Sequence, residues 1–177
     1  MERTVTFKGQ TVTLEGEELK IAQEAPDFIA VTQDMKEIRL ADYQGKIKVI
    51  TSFPSLDTPV CDLQVKEFNK RAARLSDDVV VLGISMDLPF AQARFCQENE
   101  IKNAVVVSDY RYASFGWNYG LLIKELRLLA RSVIILDKNN VVRYIQIVSN
   151  TGTPPDYDSA LTKLAEIKQG QLQPKEV

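Results

Sequence analysis

The sequence predicts an α/β fold with a mixed central sheet in three layers, and three observations carry that reading. From Ile47 onward, short runs rich in Val and Ile alternate with segments of helical periodicity. Two further β runs then follow each other across a four-residue turn, so a parallel unit is succeeded by an antiparallel pair. The 177 residues contain 8 Gly and 7 Pro, with 45% apolar and 26% charged side chains, the composition of one ordinary globular domain.

The elements can be justified in order. Residues 1–16 alternate, with Val5 and Phe7 before a Gly9-Gln10 turn and Val12 and Leu14 after it, which predicts an added N-terminal β-hairpin. Ala25-Pro26-Asp27-Phe28 and Tyr43-Gln44-Gly45-Lys46 break the next stretch into short strands and turns over 17–45. Ile47–Phe53, Val79–Ser85 and Ala104–Val107 read as strands covered on both faces. Between them, Pro59–Leu75 and Pro89–Asn99 carry apolar residues at helical spacing. Ser132–Leu136 and Val141–Val148 flank Asp137-Lys138-Asn139-Asn140 and should pair antiparallel; a helix over 156–168 follows Pro154-Pro155, and 170–177 is a polar tail. This order is a thioredoxin-like layout with flanking helices and the hairpin added in front, in a single domain spanning 1–177.

Composition excludes several function classes. With 22 basic and 24 acidic residues the net charge is -2, so no global positive field exists to gather nucleic acid or anionic lipid. Met1-Glu2-Arg3-Thr4 opens no secretory leader, and no apolar run is long enough to span a bilayer, so a soluble cytoplasmic protein is expected. The chain has no histidine, which removes Ser-His-Asp and Cys-His hydrolysis and His-containing zinc sites. Cys61 and Cys96 are its two cysteines; their spacing is neither a Cys-x-x-Cys dithiol nor a zinc-finger pattern, and no metal or other cofactor is expected.

Cys61 has the more informative setting. Thr58 is a favourable helix N-cap and Pro59 suits the first helical position, so Cys61 falls in the first turn of a helix that begins just past a strand end. Unpaired amides and the helix dipole there favour a thiolate, which Asp62 opposes and a cation from elsewhere would support. The alternative is a buried cysteine acting as a small hydrophobe.

Pro54, Thr58 and Cys61 form a Pro-x-x-x-Thr-x-x-Cys pattern that resembles the peroxiredoxins. Two longer blocks, Ser85-Met86-Asp87-Leu88-Pro89-Phe90-Ala91-Gln92-Ala93-Arg94-Phe95-Cys96 and Leu126-Arg127-Leu128-Leu129-Ala130-Arg131-Ser132, extend the resemblance to the bacterial thiol peroxidase branch of that superfamily. The resemblance implies that Cys61 attacks a hydroperoxide and becomes a sulfenic acid. It also implies that Thr58 orients thiolate and peroxide, that Arg131 stabilises the charge, and that Pro54 shields the sulfur from water. Cys96 matches the resolving cysteine that closes an intramolecular disulfide with Cys61. Thioredoxin or a similar dithiol protein is the implied reductant, and a homodimer the implied assembly. Each residue has a plainer use: Thr58 as a cap, Arg131 as a surface ion pair, Pro54 as a strand stop, Cys96 as an inert core thiol.

A disulfide needs the two Cα atoms within about 7 Å, yet both cysteines fall on predicted helices, so local unwinding is expected in each turnover. Arg94 and Arg127 are expected to be solvated or structural charges. The cluster Tyr110, Tyr112, Phe115, Trp117 and Tyr119 is unsuited to nucleotide stacking in a chain of this charge, and the resemblance assigns it to the active-site wall and a dimer contact. Phe90 is expected near the pocket, where it would suit organic hydroperoxides. A peroxide-sensing relay that oxidises a partner protein is the competing functional reading.

Overall fold

A computed structural model describes residues 2–172. The front hairpin pairs β1 (Arg3–Phe7) with β2 (Gln10–Glu15), Val5 opposite Val12, and Lys8 and Gly9 turn the chain with positive φ of 48° and 80°. β3 (Ile29–Val31), β4 (Glu37–Arg39) and a 3-10 turn at Leu40–Tyr43 occupy the stretch expected to hold short strands. β5 (Ile47–Ser52), α1 (Pro59–Ala72), β6 (Val79–Ser85), α2 (Pro89–Glu98) and β7 (Val105–Ser108) form the alternating unit. α3 (Ser114–Asn118), β8 (Leu122–Ile123) and β9 (Leu128–Leu129) precede the antiparallel pair β10 (Ser132–Leu136) and β11 (Val142–Ile147), and α4 (Tyr157–Leu172) closes the chain. The tail expected from 170 thus begins as helix, and its part from 173 on lies outside the described residues.

The central sheet has seven strands in the order β11-β10-β5-β6-β7-β3-β4. β5, β6 and β7 run parallel, whereas β10 is antiparallel to β5 and β11, and β3 to β7 and β4. The sheet is therefore mixed, as expected. Its strands alternate their apolar side chains between two cores. Ile47, Val49, Val81, Val133 and Ile135 meet Phe68 of α1 and Ala160, Leu164 and Ile167 of α4 on one face. Ile50, Leu82, Ile84, Val107, Ile134 and Leu136 point to the other face.

That second face is covered differently from expectation. The front hairpin is one half of a four-stranded sheet, β1-β2-β8-β9, in which Leu14 pairs Ile123 and Leu122 pairs Leu129. Val5, Val12, Leu14, Leu122, Ile123 and Leu129 are buried against the central sheet. The aromatic cluster divides: Phe115 and Tyr119 pack edge-on around Phe28 in this core, whereas Tyr112 and Trp117 are exposed.

Candidate active site

α1 starts just past the C-terminal end of β5, where open parallel sheets place their ligands. Thr58 is its N-cap, with φ -104° and ψ 144°, and Pro59 is the first helical residue. The Thr58 hydroxyl does not cap the helix, however. It donates to the Ser55 carbonyl at 2.9 Å, while the Asp62 amide donates to the Thr58 carbonyl at 3.0 Å. A helix start leaves its first amides without intrahelical acceptors, and Thr58 does not take them, so the Val60 and Cys61 N–H groups remain for an incoming oxygen or the sulfur itself. Asp62, expected to repel a thiolate, is paired with Lys66 at 2.8 Å.

Cys61 is fully buried, in an apolar cluster with Phe53, Leu56, Val65, Ile101 and Val106 that also contains Cys96. Both cysteines are free thiols. Cys96, on α2, accepts a hydrogen bond from Gln33 Nε2 at 3.4 Å, and burial pushes its thiol up from the ordinary cysteine range despite that bond. In this arrangement Cys96 is therefore held as a neutral thiol, a poor nucleophile until it is exposed.

Arg131 comes from the residue immediately before β10, on the strand beside β5, and is only 2% exposed. Its Nε and Nη2 donate to the Thr151 carbonyl at 3.1 and 2.8 Å, and its Nη1 donates to Gln64 Oε1 at 2.6 Å. All of these acceptors are neutral. No carboxylate lies within ion-pair distance of Arg131 among the described residues. A buried guanidinium without a counter-anion is costly unless the site exists to receive negative charge. A surface ion pair, the plainer use of this arginine, is thus not what the structure contains.

Gln64 is the residue that the sequence reading missed. It is fully buried one turn after Cys61, and its Nε2 donates to the Thr51 hydroxyl and, at 3.1 Å, to the Ser52 carbonyl. The amide is thereby fixed with its oxygen toward Arg131. A signal was present: Cys61, Gln64, Val65 and Phe68 form the buried stripe of α1, and Gln64 is the polar member of it. Thr151 left no such trace, because it contributes its backbone carbonyl.

Pro54, Thr58, Pro59, Val60, Arg131 and Thr151 line one cavity of about 210 Å³, and Phe7 and Lys8 of the front hairpin are also in its wall. Three of the five sequence-predicted site residues, Pro54, Thr58 and Arg131, therefore converge there; Cys61 follows the lining residue Val60 in α1 without itself lining the cavity, and it shares an apolar cluster with Cys96. Phe90 is 68% exposed and lies outside this lining; Phe7 supplies the aromatic wall instead. None of the five aromatics between Tyr110 and Tyr119 lines the cavity. The arrangement suits attack by a soft nucleophile on a small electrophile whose leaving group departs with negative charge.

Comparison with known proteins bears on the same region. A family model described as Redoxin matches residues 20–161. A thiol peroxidase of Bacillus subtilis (strain 168) is 50% identical over 157 residues, 89% of this chain and 93% of that protein. One of Staphylococcus saprophyticus is 48% identical over 157 residues, 89% and 94% of the two chains. Among solved structures, a peroxiredoxin-like protein from Aquifex aeolicus superimposes with a TM-score of 0.87 at 43% identity, covering 93% of this chain and 97% of that one. A thiol peroxidase from Chromobacterium violaceum shares the fold with a TM-score of 0.84 at 24% identity, over 96% and 100% of the chains.

Proposed function

The chain belongs to the Redoxin family, and from that premise we propose that it is a thiol-dependent peroxidase whose nucleophile is Cys61. The Cys61 thiolate attacks one peroxide oxygen; the S–O bond forms as the O–O bond breaks, giving a sulfenic acid and an alkoxide or hydroxide that takes up a proton to leave as alcohol or water. The first-turn amides of α1 and the Thr58 hydroxyl orient the sulfur and the attacked oxygen, and Arg131 stabilises the charge developing on the departing one. Pro54, buried in the cavity wall, restricts water at the sulfur. The single observation that carries this reading is the buried Arg131 without a carboxylate, opening onto the cavity beside the helix start that holds Cys61.

The sulfenic acid is then attacked by the Cys96 sulfur, releasing water and forming an intramolecular disulfide. Both thiols belong to one apolar cluster, which supports the pairing; both sit in helices, which requires the start of α1 or part of α2 to unwind first. A thioredoxin-like dithiol protein returns the disulfide to thiols. The protein acts as one domain in a reducing cytoplasm, and no helix among the described residues is long and apolar enough to cross a membrane. It pairs as a homodimer, a reading supported by the exposed apolar side chains Leu63, Leu88 and Phe90.

The test is intact mass and thiol count after one equivalent of hydrogen peroxide, followed by peptide mapping. Rapid loss of two hydrogens with Cys61 joined to Cys96 within one chain is expected. Arrest at a Cys61 sulfenic acid with Cys96 free would replace the two-cysteine cycle by a one-cysteine or relay mechanism, and survival of both thiols would remove the peroxidase reading.

A further inference from the structure

The loop that delivers Cys61 and the helix that carries Cys96 are tied together at one carboxylate. Asp87 lies between β6 and α2. Its Oδ1 accepts from the Ser55 hydroxyl at 2.7 Å, and its Oδ2 accepts from the Leu56 amide at 2.9 Å and the Ser85 hydroxyl at 2.6 Å. Its own backbone is fixed as well, because the Ser108 hydroxyl donates to its carbonyl at 2.5 Å. Each end of this clamp continues toward a cysteine. On one side, the Ser55 oxygen accepts from the Asp57 amide at 3.1 Å, and the Ser55 carbonyl accepts from the amide and hydroxyl of Thr58 at 3.2 and 2.9 Å. On the other, Ser85 Oγ accepts from Gln92 Nε2 at 3.1 Å, and Gln92 is a fully buried residue one helical turn before Cys96.

No lysine or arginine lies within ion-pair distance of Asp87 among the described residues. Its charge is therefore met by the Cys61 loop and Ser85, through charge-assisted bonds that hold only while the loop is in place. The start of α1 or part of α2 must unwind for the two sulfurs to meet, and Asp87 ties the segments that lead into both helices. We propose that Asp87 is a positioning residue that sets the balance between the two halves of the catalytic cycle: its bonds to Ser55 and Leu56 hold the Cys61 site assembled for peroxide, and their release is the opening that lets Cys96 reach the sulfenic acid. The inference rests on the two-cysteine reading given above. A clamp of this kind makes a prediction that a purely structural residue does not, because weakening it slows attack and speeds resolution.

The experiment is rapid mixing of the reduced full-length protein with hydrogen peroxide, quenched with an acid or a sulfenic-acid trap and read by intact mass. It is run on the wild type, Asp87→Asn and Ser55→Ala. Asp87→Asn places an amide NH₂ where one of the donors now finds an oxygen, whereas Ser55→Ala removes the bond to Oδ1 and the one from the Asp57 amide but leaves the bonds to Oδ2. In Asp87→Asn the second-order oxidation of Cys61 should slow by roughly tenfold to a hundredfold, the cost of a loosened catalytic geometry. First-order disulfide formation should become faster, and less Cys61 should reach the sulfinic acid at high peroxide, because a short-lived sulfenic acid is not over-oxidised. Ser55→Ala should move both rates the same way by less, and it carries the test alone if Asp87→Asn does not fold. Slowing of both steps together, or no change in either, overturns the clamp. A wild-type Cys61 that peroxide does not oxidise overturns the functional reading instead, and the two failures are distinct.

Discussion

Two long cationic side chains are buried at opposite ends of one strand pair, and they are held in opposite ways. β5 and β10 run antiparallel with Lys48 opposite Leu136 at one end and Ser52 opposite Ser132 at the other, where Arg131 enters. Lys48 donates to Asn140 Oδ1 at 2.5 Å; burial pulls its ammonium below the usual lysine range, and the nearby Asp137 carboxylate pushes back. A carboxylate stands near that end of the sheet in the turn between β10 and β11: Asp137 pairs with Arg143 at 3.3 Å and accepts from the Asn139 and Val141 amides at 2.9 and 3.0 Å, and its charge is still felt at Lys48. Arg131 has three hydrogen bonds to neutral oxygens and no anion. The lesson is that burial of a cation does not mark function; burial without compensation, beside a cavity, does.

The strongest way to break the comparison is to remove Arg131. Arg131→Gln should lower kcat/KM for hydrogen peroxide by roughly 10²- to 10³-fold, the usual loss when a preorganised charge-stabilising donor is deleted. Folding stability should stay the same or rise, because a desolvated charge is gone. Steady-state kinetics beside urea unfolding measures both, and a large loss of stability accompanying the loss of rate would make Arg131 structural after all. A subtler change converts one end into the other. Gln64→Glu supplies a carboxylate next to Nη1, so Arg131 would be neutralised as a partner for the thiolate; peroxide reactivity should fall roughly tenfold to a hundredfold, with some loss of stability because the donated bonds to Thr51 and Ser52 are gone. Reactivity unchanged in this variant would show that the charge of Arg131 is not used.

At the other end, Lys48→Met should leave peroxide turnover at the wild-type value. Stability should shift by about 2 kcal/mol or less in either direction, since replacing a buried charge by an apolar chain of similar length is often neutral or favourable. A substantial loss of turnover in Lys48→Met would mean that the two ends of the strand pair are coupled, and the contrast between them would fail.

The contrast also explains what was legible beforehand. β5, β6, β7 and β10 were visible as short runs rich in Val and Ile, β11 as the β run that follows the Asp137-Lys138-Asn139-Asn140 turn, and α1 because Thr58-Pro59 announces a helix start. β8, β9 and α3 were not, since two-residue strands and a five-residue helix have no period to detect, and the pairing of β8 with the hairpin is fixed by contacts between residues more than a hundred positions apart. At the site, Cys61, Thr58, Cys96, Pro54 and Arg131 could be placed by motif, but the direction of the Thr58 hydroxyl and the choice of Gln64 rather than a carboxylate as the partner of Arg131 are outcomes of packing. Asp87 lay inside a recognised block, yet its role depends on Ser55 and Leu56 reaching it from another element.

A third buried charge sharpens the comparison by the smallest effect. Asp109 is 1% exposed at the end of β7, and its two oxygens accept from the Phe115 and Gly116 amides at 2.9 and 2.8 Å. Burial pushes its carboxyl up to about 6 from the ordinary value of 3.8, against those amide bonds, which pull the other way. A carboxyl raised on folding binds more protons in the native state than in the unfolded one between those two values. Its contribution to stability is therefore fully present below about 4 and is lost as pH rises through about 6. The difference in unfolding free energy between the wild type and Asp109→Asn, followed by urea titration across that window, should shrink as pH rises. A difference that grows instead would mean that the two amides hold Asp109 as a carboxylate, and that a buried anion in this fold is stabilised by backbone donors alone, as the α1 start is proposed to do for Cys61.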